Sequence, residues 1–332
     1  MNASLEADRL HKQFDAKDRA VAGEGRIDVF DMLVQKEIPV MFKSLKGLLG
    51  AFLNENGSTG VIVTTQRPLP VQRFTAAHEL GHAVLGHDPS LDPEETLARS
   101  PLVEREQRGY DLQEIQANVF ASQLLIPRWL LVKHMQRQRW GPSEMSKSDV
   151  VYQLSLRLGV SYSATCHALL RNKVIDDVVS EQLLNVQPRT IKKRLAAPHV
   201  PANWYGDVWV ITERDDGSLL EGSRSDLVVV QVKEHSGSGY LWQLDDLTAV
   251  GMSVVQDNRA ADSDKDLVGG VVCRTVIAEP TDGAEGHVCL RETRPWQAKG
   301  EPIQSLNLDV DLYGPVDAGL HRAQRKTLLG VA

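Results

Sequence analysis

The stretch Phe74–Asp88, FTAAHELGHAVLGHD, decides how the first half of the chain is read. Three histidines and one glutamate interrupt a segment that is otherwise apolar and helical in pattern. Residues four apart on an α-helix are rotated by roughly 40° and rise about 6 Å, so His78 and His82 share a face. Their ring nitrogens can converge on one ion, and Glu79 follows the first of them directly. His-Glu-x-x-His on a helix is the signature of zinc-dependent peptidases, with the glutamate as general base. Zinc takes imidazole ligands readily, and a catalytic zinc keeps one position open for water. Beside Leu80, Ala83, Val84 and Leu85, this register of charged and ligating groups is an uncommon accident. His87 follows His82 by five residues, a rotation of roughly 140° on a helix, which points it away from the ligand face. It also misses the longer spacing at which a third histidine ligand follows in other zinc peptidases. His87 therefore reads as a helix-end residue, where a cation is favoured.

The third ligand must come from elsewhere. The segment DLQEIQANVFASQLLIP (Asp111–Pro127) keeps Ile115, Val119, Leu124 and Leu125 on an apolar stripe and stops at Pro127. Glu114 and Asn118 are four apart and share a face of that helix. Glu114 can serve as a ligand and Asn118 as a hydrogen-bond partner to one. On spacing alone, Glu104, Glu106 and Asp111 are rivals, and a solvated charge on an amphipathic helix is the plain alternative.

Taken together, QRFTAAHELGHAVLGH and EIQANVFASQLLIP resemble the ImmA/IrrE metallopeptidase family. Over about residues 5–180 the resemblance implies a mainly helical, zincin-like peptidase domain with a small sheet. It implies His78, His82 and Glu114 as ligands of Zn2+ and Glu79 as the base. It also implies a protein substrate: an Xre-type helix-turn-helix repressor in a stress, phage or mobile-element circuit, whose cleavage relieves repression.

Residues 148–175, SDVVYQLSLRLGVSYSATCHALLRNKVI, read as a helix, a turn at Gly159 and a second helix, the spacing of a helix-turn-helix. Its second helix offers only His167, Arg171, Asn172 and Lys173 to base edges. The nearby RTIKKR (Arg189–Arg194) is a short basic run of the kind that usually forms a solvated helix face. Direct DNA binding is the weaker reading.

From about Trp204 the pattern changes. DVWVITERDDG, DLVVVQVKEH, YLWQLDD, GGVVCRTVIAE, GHVCLRE and LNLDVDLYG are short alternating or apolar runs punctuated by turn residues. The expectation is an α+β multidomain chain. A peptidase domain over 1–200 is joined through LAAPHVPAN (Leu195–Asn203) to an all-β immunoglobulin-like sandwich over 205–332. Three loops stand out: HSGSGYLW (His235–Trp242), DLVGGVV (Asp266–Val272) and RETRPWQ (Arg291–Gln297). Tryptophan and arginine anchor interfaces, although Trp242 is expected in the core. The loops resemble those of chagasin-type inhibitors of papain-like cysteine peptidases. Gly239, Tyr240 and Trp242 match the first loop, Gly269 and Gly270 the second, and Arg294, Pro295 and Trp296 the third. The first loop departs from the pattern by lacking its Asn, Pro and Thr, and Leu267 replaces a glycine of the second. The resemblance implies a protein partner for these loops, with a papain-like cysteine peptidase as one candidate.

Composition frames these readings. The chain has 332 residues, enough for two domains, with 42% hydrophobic and 24% charged residues, as in soluble globular proteins. A net charge of −7 provides no global field for nucleic acid or anionic membrane. The N-terminal MNASLEADRLHKQFDAKDRA lacks the apolar core of a secretory signal. GLLGAFLNENGSTGVIVTTQ (Gly47–Gln66) is too interrupted by polar residues to span a bilayer. Cys166, Cys273 and Cys289 are too few and odd in number for a disulfide framework. They fit thiols in a reducing, cytoplasmic setting.

Overall fold

The computed structural model describes residues 2–20, 25–55, 58–88, 90–93, 112–261, 271–297, 300–315 and 318–320. A helical N-terminal region with a small sheet is followed by a β-rich C-terminal region. The chain divides into two compact units. One holds Met1–Val132, Arg157–Asn172 and Pro315–Ala332, and the other holds Lys133–Leu156 and Lys173–Gly314.

The first unit opens with α1 (Ala3–Gln13), capped by the Asn2 side chain, which accepts from the Ser4 N–H. Ala3, Ala7, Leu10 and His11 form its buried stripe. After α2 (Ala16–Arg19) comes α3 (Val29–Gln35), where Asp28 caps the N–H groups of Phe30 and Asp31. Then follow β1 (Val40–Lys43), β2 (Leu48–Glu55) and β3 (Ser58–Thr64). The helix bearing the opening stretch, α4, runs Leu69–Leu85, and a short β4 spans Ser90–Pro93. Helix α4 begins at Leu69 and takes in Pro70. Pro70 sits in the first turn, where a missing N–H costs nothing.

The order β1-β3-β2-β4 is parallel between β1 and β3 and antiparallel elsewhere. Helix α5 (Leu112–Leu125) crosses α4 and also packs on α1. It leads into α6 (Arg128–Gln138) and α7 (Ser148–Leu158), after which α8 (Tyr162–Arg171) returns to this unit. The turn before α8 holds Gly159 at φ 68°, and Arg73 of α4 donates to its carbonyl at 3.2 Å. Phe42, Phe52, Leu80, Phe120 and Leu124 are fully buried in the core.

The second unit contains α9 (Asp177–Leu184) and α10 (Pro188–Ala196). Its strands are β5 (Val208–Ile211), β6 (Ser218–Glu221), β7 (Leu227–Glu234) and β8 (Leu241–Gln243), then, after α11 (Asp245–Ala249), β9 (Met252–Ala261), β10 (Val272–Pro280), β11 (Glu285–Thr293) and β12 (Gln304–Asp311). Among the described residues these strands form two four-stranded sheets, β5-β7-β10-β9 and β6-β12-β11-β8. The two-residue β13 (Gly319–Leu320) pairs antiparallel with β1, so these two residues join the first unit's sheet.

Edge strand β5 is covered by side chains of α7. Gln153 donates to Val208 O at 2.7 Å and accepts from Val210 N–H at 2.9 Å, as a partner strand would. The Tyr152 hydroxyl accepts from Val208 N–H at 3.0 Å. Ala196 of α10 packs with Val208, Leu227, Val229 and Ile277 in one apolar cluster. Cys273 lies on β10 and Cys289 on β11, in different sheets, and both are free thiols.

Candidate metal centre

Two helices build the centre. On α4, His78 and His82 are buried, with their Nε2 atoms 3.0 Å apart. On α5, Glu114 turns toward them, with Oε2 3.2 Å from His78 Nε2 and Oε1 3.4 Å from His82 Nε2. Among the described residues these three side chains form a group able to hold a metal ion, each offering one ligand atom within 4.8 Å of the others. Two imidazoles and a carboxylate form a donor set that suits zinc.

The helices approach closely because α4 carries a glycine at the crossing. A Cβ added to Gly81 would stand 3.0 Å from Phe120 Cδ1 and 3.3 Å from Ala117 Cα. This glycine also lies inside the motif, and its packing role is not visible in the spacing that identifies the ligands.

The imidazoles are gripped on their far sides. His78 Nδ1 lies 3.1 Å from Asn118 Oδ1, one turn after Glu114 on α5. With Asn118 accepting, His78 carries its proton on Nδ1 and leaves Nε2 bare for an ion. The ring of Phe52, from β2, stacks on His82 with centroids 6.2 Å apart. Glu79 is fully buried. Its carboxylate lies against β2 at Gly50, where an added Cβ would be 2.6 Å from Glu79 Oε1.

His87 does not stay on the far side of the helix. Gly86 adopts φ 71° and ends α4, with both its own N–H and that of His87 bonded to His82 O. The chain therefore turns back, and His87 Nδ1 comes within 3.1 Å of His82 Nδ1. The rotation of five helical residues fails here because residue 87 is no longer helical. His87 is not one of the three converging side chains. Glu104, Glu106 and Asp111 lie outside the described residues.

The loops of the second unit also converge in part. Buried Glu292 accepts from His235 N–H at 2.5 Å, tying the start of one loop to the base of another. The Arg294 guanidinium lies 4.5 Å over the Tyr240 ring, and Arg294 Nε donates to Ser238 O at 3.2 Å. Trp296 packs against Gly239, where an added Cβ would meet Trp296 Cη2 at 2.4 Å, yet it stays 68% exposed. Pro295 is exposed beside it. Trp242 is buried and donates from Nε1 to Lys233 O at 2.8 Å. Gly269 and Gly270 lie outside the described residues.

Three basic residues in and near the helix-turn-helix-like segment, Arg171, Lys192 and Arg194, are engaged. Arg171 donates to the carbonyls of Ser122 and Ile126, and Asn172 to Ala168 O. Lys192 pairs with Asp207 at 2.9 Å, and Arg194 with Asp149 through Nε at 2.9 Å. Among the described residues, no helix is long and apolar enough to cross a membrane.

Residues 35–170 match the model of the Peptidase_M78 family, described as the IrrE N-terminal-like domain. The match spans both helices of the centre and supports a metallopeptidase of the ImmA/IrrE kind. A separate similarity links about a third of the chain to chagasin-like inhibitors. Amoebiasin-2 of Entamoeba histolytica is 28% identical over 107 residues, covering 32% of this chain and 86% of that protein. The crystal structure of the cysteine protease inhibitor EhICP2 from Entamoeba histolytica aligns at 25% identity, over 33% of this chain and 99% of that one, with a TM-score of 0.29. A Mycobacterium tuberculosis transcriptional regulator aligns at 12% identity, over 84% of this chain and 88% of that one, with a TM-score of 0.30.

Proposed function

We propose that this chain is a zinc-dependent endopeptidase in which His78, His82 and Glu114 hold the ion and Glu79 is the general base. The observation that carries the reading is the convergence of two imidazole nitrogens and a carboxylate oxygen within 4.8 Å at a helix crossing. Zinc held there supplies a Lewis acid that acidifies water and polarises a peptide carbonyl. Glu79, next to the first ligand, takes a proton from the attacking water. As the carbon–nitrogen bond breaks, Glu79 passes that proton to the leaving amine. Asn118 orients His78.

The substrate in this reading is a cytoplasmic Xre-type helix-turn-helix repressor, on the strength of the two motifs and the family match. Residues 1–200 carry catalysis and 205–332 form an immunoglobulin-like recognition module. The purified chain should bind about one zinc, following the ligand set found among the described residues. Co-expression with helix-turn-helix proteins encoded nearby should yield a cleaved band, and Glu79→Gln should retain zinc and abolish the band. A wild-type chain that binds no zinc, with His78 and His82 intact, rejects the reading.

A second role is favoured by the contact between the 235–242 and 291–297 loops and by the likeness to Amoebiasin-2. In it, Gly239, Tyr240, Arg294, Pro295 and Trp296, with Gly269 and Gly270, receive a papain-like cysteine peptidase. The whole chain should then inhibit papain at micromolar concentration, and Trp296→Ala should weaken the inhibition. Full papain activity at that concentration removes this role and leaves the metal reading standing.

A further inference from the structure

His87 is the residue of the opening stretch to which the metal reading gives no task. Its ring stands between a metal-binding histidine and α5. Nδ1 is 3.1 Å from His82 Nδ1, and Nε2 is 3.0 Å from Gln116 Oε1. Next to it, Asp88 N–H donates to Gln113 Oε1 at 2.9 Å, so two glutamines of α5 hold the turn that ends α4.

The polarity of these bonds fixes the protons. A carboxamide oxygen only accepts, so with Gln116 presenting Oε1, His87 carries hydrogen on Nε2. A neutral imidazole has one N–H, so His87 Nδ1 is bare and accepts from His82 Nδ1. His82 Nε2 is then bare as well. That is the nitrogen facing Glu114 Oε1 at 3.4 Å and His78 Nε2 at 3.0 Å. His78 reaches the same tautomer through Asn118 by a single bond. His82 reaches it through two, by way of His87.

We propose that Gln116 and His87 form a positioning relay that holds His82 in its Nδ1–H tautomer and thereby sets the affinity of the centre for a divalent cation. The relay rests on the metal reading of His78, His82 and Glu114. It touches no reacting atom and acts through His82 alone. It also differs from a charge at the helix end, because it needs an acceptor at the position of His87 Nδ1 and not a cation.

The test is equilibrium zinc affinity of the full chain, measured by chelator competition, with folding checked by circular dichroism. His87→Leu and Gln116→Met should bind zinc about 10–100-fold more weakly, the usual cost of losing a partner that orients a metal histidine. His87→Asn, whose Oδ1 replaces Nδ1 as acceptor, should restore affinity to within a few-fold. His87→Lys keeps a cation at the helix end but offers no acceptor, so it should be as weak as His87→Leu. Zinc affinities for His87→Leu and His87→Lys within about twofold of wild type overturn the relay, against the expected 10–100-fold loss. Rescue by Lys but not Asn overturns it in favour of a helix-end charge. Absence of zinc binding in every protein, wild type included, overturns the metal reading and the relay with it.

Discussion

At the scale of single residues, two positions make the role of their surroundings measurable. Gly50 faces the Glu79 carboxylate, and a Cβ there would stand 2.4 Å from Thr75 Cγ2 as well as 2.6 Å from Glu79 Oε1. Something must move, and the long Glu79 side chain moves more easily than the helix backbone. On the proposed reading, Gly50→Ala is expected to keep zinc and lose most peptidase activity; unchanged turnover with normal zinc content counts against Glu79 as base. Asp226 supplies a pH effect in the second unit. It is fully buried and accepts from Asp207 N–H at 2.8 Å and Trp209 Nε1 at 3.0 Å. Burial, followed by the nearby charge of Asp207, pushes its pKa up from 3.8 to about 7. Between those values the folded chain holds a proton that the unfolded chain has lost, so stability falls as pH rises. The stabilisation is complete below about pH 4 and is lost as pH climbs through 7. The thermal midpoint of the second unit should decline from pH 5 to pH 8, and more steeply than in Asp226→Asn, which does not titrate; equal slopes would refute this.

At the scale of elements, the centre depends on how closely α4 and α5 cross. Gly81→Val adds bulk against Phe120 and Ala117, and overpacking of this kind costs about 1–3 kcal/mol. Because the added bulk pushes Glu114 away from the histidines, zinc affinity should fall along with the thermal midpoint. A variant that is destabilised yet binds zinc normally would show that the crossing does not set the ligand distance. The same elements show what the sequence revealed and why the rest was hidden. The shared face of His78 and His82 on α4 and that of Glu114 and Asn118 on α5 were legible because helical periodicity is local. The path of His87 was hidden because one glycine, at φ 71°, ends the period and reverses the chain. Strand β2 was hidden for another reason: Leu49 through Phe52 are all buried, so the run does not alternate. Strand β9 was masked by the opposite condition, since from Ser253 to Ala260 it is mostly exposed and polar.

At the scale of the whole molecule, the composition shift near Trp204 marks where strands begin, and the compact unit that holds them also includes Lys133–Leu156. Side chains some fifty residues upstream complete the edge of β5, and no local pattern announces a pairing at that separation. Gln153 and Tyr152 satisfy backbone groups that would otherwise be open to another strand, and Lys192 and Tyr152 share the Asp207 carboxylate at 2.9 and 2.8 Å. A fragment beginning at Trp204 loses all of these partners. It exposes the β5 edge and leaves Val208, Leu227 and Ile277 without the cover of Ala196. Such a fragment should unfold at a lower temperature than the β strands do in the intact chain, and it should self-associate in a concentration-dependent way on size exclusion. Within the intact chain, Gln153→Leu should move partway in the same direction, because it leaves Val208 O and Val210 N–H unpaired at about 1–3 kcal/mol each when buried. A monomeric fragment with the midpoint of the intact chain would show that the strands fold independently of the helices.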